Sequence, residues 1–225
     1  MPAPARGQLL EPCWQGMRFN LRPALVLQAF ALAIVCGYFW SAQVKSVLDV
    51  VGAVKLRYGY AYSALATCLF GGLVPYAVLS FAGRIPKQRR LAELAFYALL
   101  WFWKGMEVDA LYRAQAVWFG AGSSVATITM KTLVDQFGYV PLWAAPSQVL
   151  LFTWKDAGFS IAGMRAAFGR QPVVQRVLVV IFSTWVVWIP AVAIIYSLPS
   201  PLQVPLFNLV LCFWCLLMSF ISRES

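Results

Sequence analysis

Lys131 and Asp135 stand four residues apart in the stretch "KTLVDQFGYVP", which runs from Lys131 to Pro141. Residues at that spacing meet on one face of a helix, so the two can form an ion pair. Gly120, Ser123, Ser124 and Thr127 precede them at intervals of three and four, which predicts one continuous polar stripe. Such a stripe supports two readings. It lines a water-filled path, or it is a seam of small and hydroxyl side chains along which helices pack closely. Asp109 and Arg113 are also four apart and predict a second pair.

Other chemistry has little to work with. The chain contains no histidine, which removes the usual catalytic base, the common serine triad and imidazole metal ligands. Its eight acids form no recognisable catalytic pair, and H-E-x-x-H, G-x-S-x-G and P-loop motifs are missing. Cys212 and Cys215 have redox or zinc spacing but lie inside "LVLCFWCLLM" with no second pair, so they read as two apolar-embedded thiols. The expectation is a protein without enzymatic activity, metal or cofactor. Glu93, just after "RIPKQRR", reads as an interfacial salt-bridge partner, and Gln28 as a hydrogen-bonding residue between helices.

The elements that position these residues follow from composition. Of 225 residues, 61 % are hydrophobic and only 12 % charged, and mean hydropathy is +0.72. Soluble domains run at about 45–50 % apolar and about 25 % charged. The chain therefore reads as one integral membrane domain, 1–225, with a short N-terminal tail over 1–22. The net charge of +10 comes from Lys and Arg set between apolar blocks. They read as topology signals and phospholipid contacts, not as a nucleic-acid surface. Residues 1–23 have no apolar core of the kind a secretory signal needs, so the first apolar block reads as a retained span.

A helix needs about 20 apolar residues to cross the hydrocarbon core. About six apolar helical blocks appear: Ala24 to Gln43, Ala61 to Gly83, Leu91 to Trp103 with a polar continuation to Gln115, Ala114 to Val134, Val173 to Leu198 and Leu202 to Ile221. Tyr139 to Trp154 is short, and is re-entrant, tilted or fused with a neighbour. Val47, Leu48, Val51 and Val54 predict a separate helix along the interface. The predicted fold is all-α, a multi-pass transmembrane helix bundle with four to six true spans. Arg6, Arg18 and Arg22, the "RIPKQRR" cluster, the cations from Lys155 to Arg176, and Arg223 place both termini inside.

The spacing Lys131, Asp135-Gln136, Pro141 resembles the Mpv-seventeen / 22-kDa peroxisomal membrane protein family. Gly37, Ser41 and Gln43 resemble its early glycine-to-glutamine element, and Gly71 to Pro75 its glycine-rich stretch before a proline. Trp188 with Pro190, Leu198 with Pro199, and Trp214 with Met218-Ser219 resemble its closing elements. Tyr38 stands where the family has Asp, and Gln203 where it has Arg. The resemblance implies a weakly selective channel or permeability protein for small solutes. On it, Ser123, Ser124, Thr127, Lys131 and Asp135 line a path or pack helices. The alternative is a non-conducting scaffold or accessory protein. The expected surroundings are the lipid bilayer and small anionic solutes drawn by Lys131 and the basic loops, with homo-oligomerisation left open. The membrane is the cell membrane for a bacterial chain, and the inner mitochondrial or peroxisomal membrane for a eukaryotic one.

Overall fold

A computed structural model describes the backbone of residues 6–221 and the side chains of residues 11–216. About 90 % of it is helix, with no strand among the described residues. The elements are α1 (Arg6–Trp40), α2 (Ala42–Thr67), α3 (Val74–Phe81), α4 (Arg90–Phe119), α5 (Val125–Leu133), α6 (Ala145–Asp156), α7 (Ile161–Arg170), α8 (Val173–Tyr196) and α9 (Ser200–Ile221). A π-helical turn, Cys68–Leu73, joins α2 to α3, and a longer one, Val134–Ala144, joins α5 to α6. With the π-turns joined to their neighbours, the described residues form seven helices. Among them, three stretches are long and apolar enough to cross a membrane: Glu11–Trp40, Ala42–Phe81 and Val173–Tyr196.

The chain divides into two compact units, residues 1–25 with 132–190, and residues 26–131 with 191–225. In the first, Ala145, Val149, Val177 and Ile181 form a core, covered by Val140, Phe168 and Trp185. Asn20 donates to the Ser183 carbonyl at 2.7 Å. In the second unit, α2 and its π-turn pack on α4 and α9, and α3 packs on α9. Ser41 caps α2: its hydroxyl accepts from the Val44 amide.

Several expected boundaries move. The segment carrying Val47 to Val54 is a helical stretch that begins at Ala42 and is divided, within α2, from the stretch that runs on to Thr67. The one interruption is Gly59, with φ 54° and ψ −125°, a conformation only glycine adopts without strain. The third block extends through "KGMEVDALYRAQ", so α4 ends at Phe119. The block Ala114 to Val134 is not one helix. The backbone leaves the helix at Gly120, and Ser124 then caps α5, its hydroxyl accepting from the Thr127 amide at 3.2 Å. Tyr139 to Trp154 is fused with what precedes it, through the π-helical segment. Pro141 lies inside that segment instead of opening a new one. A π-turn absorbs a residue that cannot supply an ordinary helical N–H. The expected tail over 1–22 is helical from Arg6 onward. Arg223, and the side chains of Arg6, Met218 and Ser219, lie outside the described residues.

Candidate functional site: a buried polar cluster on α2 and α4

Lys55, Gly59, Ser63 and Thr67 recur every four residues along α2, on the two sides of its bend at Gly59, and Lys55, Ser63 and Thr67 are buried. On α4 the buried face carries Glu93, Lys104, Gly105, Asp109 and Gln115. The outward residues of the same helix are apolar: Leu91 is 80 % exposed and Val117 83 %. Phe96, Tyr97, Leu100, Trp101, Val108 and Tyr112 are buried with them, so α4 is apolar on both sides with charged residues set among its buried ones.

Gly105 lets the two faces meet. A Cβ placed there would lie 2.3 Å from the Ser63 carbonyl oxygen, so only glycine permits this approach. The approach brings Asp109 into a three-way contact. Lys55 Nζ donates to its Oδ2 at 2.9 Å, and Ser63 Oγ donates to the same oxygen at 2.9 Å. Arg113 Nε donates to Oδ1 at 3.0 Å, which realises the pair expected from the sequence. Lys55 also reaches the Gly59 carbonyl at 3.3 Å. The Arg113 guanidinium lies 4.7 Å from the Tyr60 ring centre. Asp109 is 2 % exposed and Lys55 4 %. Burying a charge costs several kcal/mol unless a partner and hydrogen bonds offset it. Both Asp109 oxygens are so offset. Further along, Thr67 Oγ1 donates to Asn208 Oδ1 of α9 at 2.7 Å. Lys104 donates to Glu107 at 2.8 Å.

The expected polar stripe is divided. Ser123 lies in the break between α4 and α5, and it and Ser124 are exposed. Ser124 Oγ donates to Thr127 Oγ1 at 3.0 Å, next to its capping contact with the Thr127 amide. Only Thr127 and Lys131 fall on α5, and Asp135 lies in the π-helical segment that follows it. Asp135 is buried in the first unit, where its Oδ1 accepts from Gln136 Nε2 at 3.0 Å. The Gln136 carbonyl accepts from Trp185 Nε1 at 3.1 Å.

Lys131 is buried in the second unit, 1 % exposed. Its ammonium sits 5.8 Å from the ring centre of Tyr196 and has no hydrogen-bond partner. Tyr112 stands edge-on to Tyr196 at 5.1 Å. Gln115 Nε2 donates to the Lys131 carbonyl at 3.3 Å, while its Oε1 is buried without a partner. A desolvated cation over an aromatic face gains about 2 kcal/mol. That is less than the several kcal/mol an isolated buried ion costs.

The other residues of the resemblance are dispersed. Gly37 packs beside Val44 across the α1–α2 break, and Gln43 accepts from Ser41 Oγ at 3.2 Å. Tyr38, in the position of the family's Asp, donates to Asp49 at 3.3 Å, and Lys45 pairs with the same carboxylate. Pro75 is buried at the start of α3. Trp188 and Pro190 are half-buried within α8, Pro199 is exposed before α9, and Trp214 is half-buried in α9. The five cysteines are free thiols. No group of three or more metal-ligating side chains occurs among the described residues.

The Lys55–Ser63–Asp109 association was not anticipated. Lys55 and Asp109 are 54 positions apart, and no local spacing joins them. The signal on the page was the four-residue recurrence of Lys55, Gly59, Ser63 and Thr67. Among the described residues the protein is all-helical, with three stretches of membrane-spanning length and, in the second unit, a buried charged cluster on α2 and α4. The chain matches no family model, no curated protein and no solved structure.

Proposed function

We propose that this is a multi-pass integral membrane protein that gives small solutes a weakly selective passage across the bilayer. More than the three longest apolar stretches cross the membrane on this reading, because α4 and α9 pack against α2. One observation carries it. α4 turns Glu93, Lys104, Asp109 and Gln115 inward and Leu91 and Val117 outward. Ionisable side chains held inside lipid-facing helices are costly, and they mark solute or ion paths more often than not. Kinship with the Mpv-seventeen / 22-kDa peroxisomal membrane protein family is part of this proposal and rests on Lys131, Asp135, Gln136 and Pro141. Purified protein in planar bilayers tests it. The expected result is a conductance that falls in a Lys131→Ala/Asp135→Ala variant. Equal traces from both proteins, or none from either, would remove the passage.

A second reading has its own observation. Asp109 is answered by Lys55, Ser63 and Arg113 together, as in a lock between helices. A non-conducting scaffold would need no more. Its mark is a stoichiometric partner on purification, with no flux in liposomes.

A further inference from the structure

Among the described residues of the second unit, Lys131 is a buried cation without a hydrogen-bond partner. Lys55 has Asp109, and Lys104 has Glu107. Lys131 Nζ lies 5.8 Å from the ring centre of Tyr196. The adjacent Gln115 is also fully buried. Its amide nitrogen is held by the Lys131 carbonyl, and its Oε1 is without a partner. Buried polar atoms are nearly always satisfied, so two orphans on neighbouring side chains point to something that completes them.

We propose that Lys131, Gln115 and Tyr196 form a binding station for a small monovalent anion of chloride or formate size. The ammonium supplies the charge and up to three donors. Tyr196, braced by Tyr112 edge-on, keeps the ammonium in place and excludes bulk water. Gln115 fixes the Lys131 backbone, and its free oxygen accepts from a water carried in with the anion. A site this enclosed selects small, weakly hydrated anions, because a large hydroxylated anion such as gluconate loses more hydration than one ammonium returns. A neutral buried amine would satisfy the charge but leave both orphans, so the geometry favours an occupant over deprotonation.

This names the solute class for the passage proposed above and rests on that reading; binding and flux are therefore measured separately. The full chain in detergent micelles is titrated with formate and with chloride at constant ionic strength, gluconate making up the balance. Unfolding is followed by tryptophan fluorescence. The wild type is expected to show a saturable rise in its unfolding midpoint of several degrees, as a ligand that binds only the folded state requires. Lys131→Met is expected to lose the rise, and Lys131→Arg to keep it. An equal rise in wild type and Lys131→Met, or a flat wild-type curve to 100-fold above physiological formate, overturns the site. Should Lys131→Met not fold, Gln115→Leu carries the test. At least fivefold weaker half-saturation supports the site, and unchanged half-saturation overturns it. Formate flux into proteoliposomes is the separate arm. Binding without flux keeps the station and removes the passage, and flux without binding does the opposite.

Discussion

Lys55 and Asp109 are joined at 2.9 Å with both side chains almost wholly out of contact with solvent, across the closest approach of α2 and α4. Lys45 and Asp49 form another Lys–Asp pair on α2, with about half of each side chain exposed. The exposed pair is local to one helix, whereas the buried pair joins two helices and shares Asp109 with Ser63 and Arg113.

Asp109→Asn strands the buried charge of Lys55 and should lower stability by about 3–5 kcal/mol. Lys55→Met should cost less, because Asp109 keeps Ser63 and Arg113. The double variant Lys55→Met/Asp109→Leu should recover much of the loss, since Arg113 is half-exposed and stays hydrated. Thermal unfolding in one detergent measures all three. Additive losses in the double variant would sink the pairing argument. Lys45→Ala should leave the unfolding midpoint unchanged, because solvent already screens that pair.

Gly105→Ala should weaken the α2–α4 seam. The added methyl would meet the Ser63 carbonyl, and backbone cannot step aside as a flexible side chain can. A loss of about 1–3 kcal/mol is expected for such overpacking. A Gly105→Ala protein with wild-type unfolding and wild-type protease resistance would show that the helices are not this close.

Gly59→Ala tests the bend in α2. A side chain at φ 54°, ψ −125° is strained whatever space surrounds it, at a cost of about 1–3 kcal/mol. The bend also directs the Gly59 carbonyl at Lys55, so a straightened α2 would loosen the ion pair. The expected result is lower stability in Gly59→Ala and a smaller further loss on adding Lys55→Met. Full additivity would mean that the bend and the pair are independent.

The basic segments predict that both termini lie on the cytoplasmic or matrix-like side. Reporter fusions at residue 1 and residue 225 should respond alike, and a reporter in the uncharged "SLPSPL" turn oppositely. Termini reporting from opposite sides would overturn the orientation and with it an even number of crossings.

Much of the architecture is legible in the chain because lipid-length apolar runs are a strong signal. The Val173 to Leu198 block and the helix after it fall within a few residues of α8 and α9. The Asp109–Arg113 pair is legible because both residues share a helix face. The stripe from Gly120 to Asp135 misleads for a physical reason. Its spacing argument assumes one uninterrupted α-helix. The backbone leaves the helix at Gly120, and the π-helical segment beginning at Val134 adds a further change of register. Lys55 with Asp109 is hidden because a contact between distant elements leaves no mark in local periodicity. Ser63 and Gly105 give the contact its geometry, and each alone reads as an ordinary small residue of a packed helix.

The Lys55–Asp109 contact also bears on how such a chain enters a bilayer. Alone, α4 carries Lys104, Glu107, Asp109 and Arg113 in its central and C-terminal turns. Each charge at a helix centre costs about 2.5–3.5 kcal/mol during insertion. If α4 is a span of the proposed multi-pass protein, it does not partition by its own hydropathy, and it leaves the insertion machinery docked on α2, where Lys55 and Ser63 meet Asp109. Synthesis order meets that requirement, because α2 emerges first.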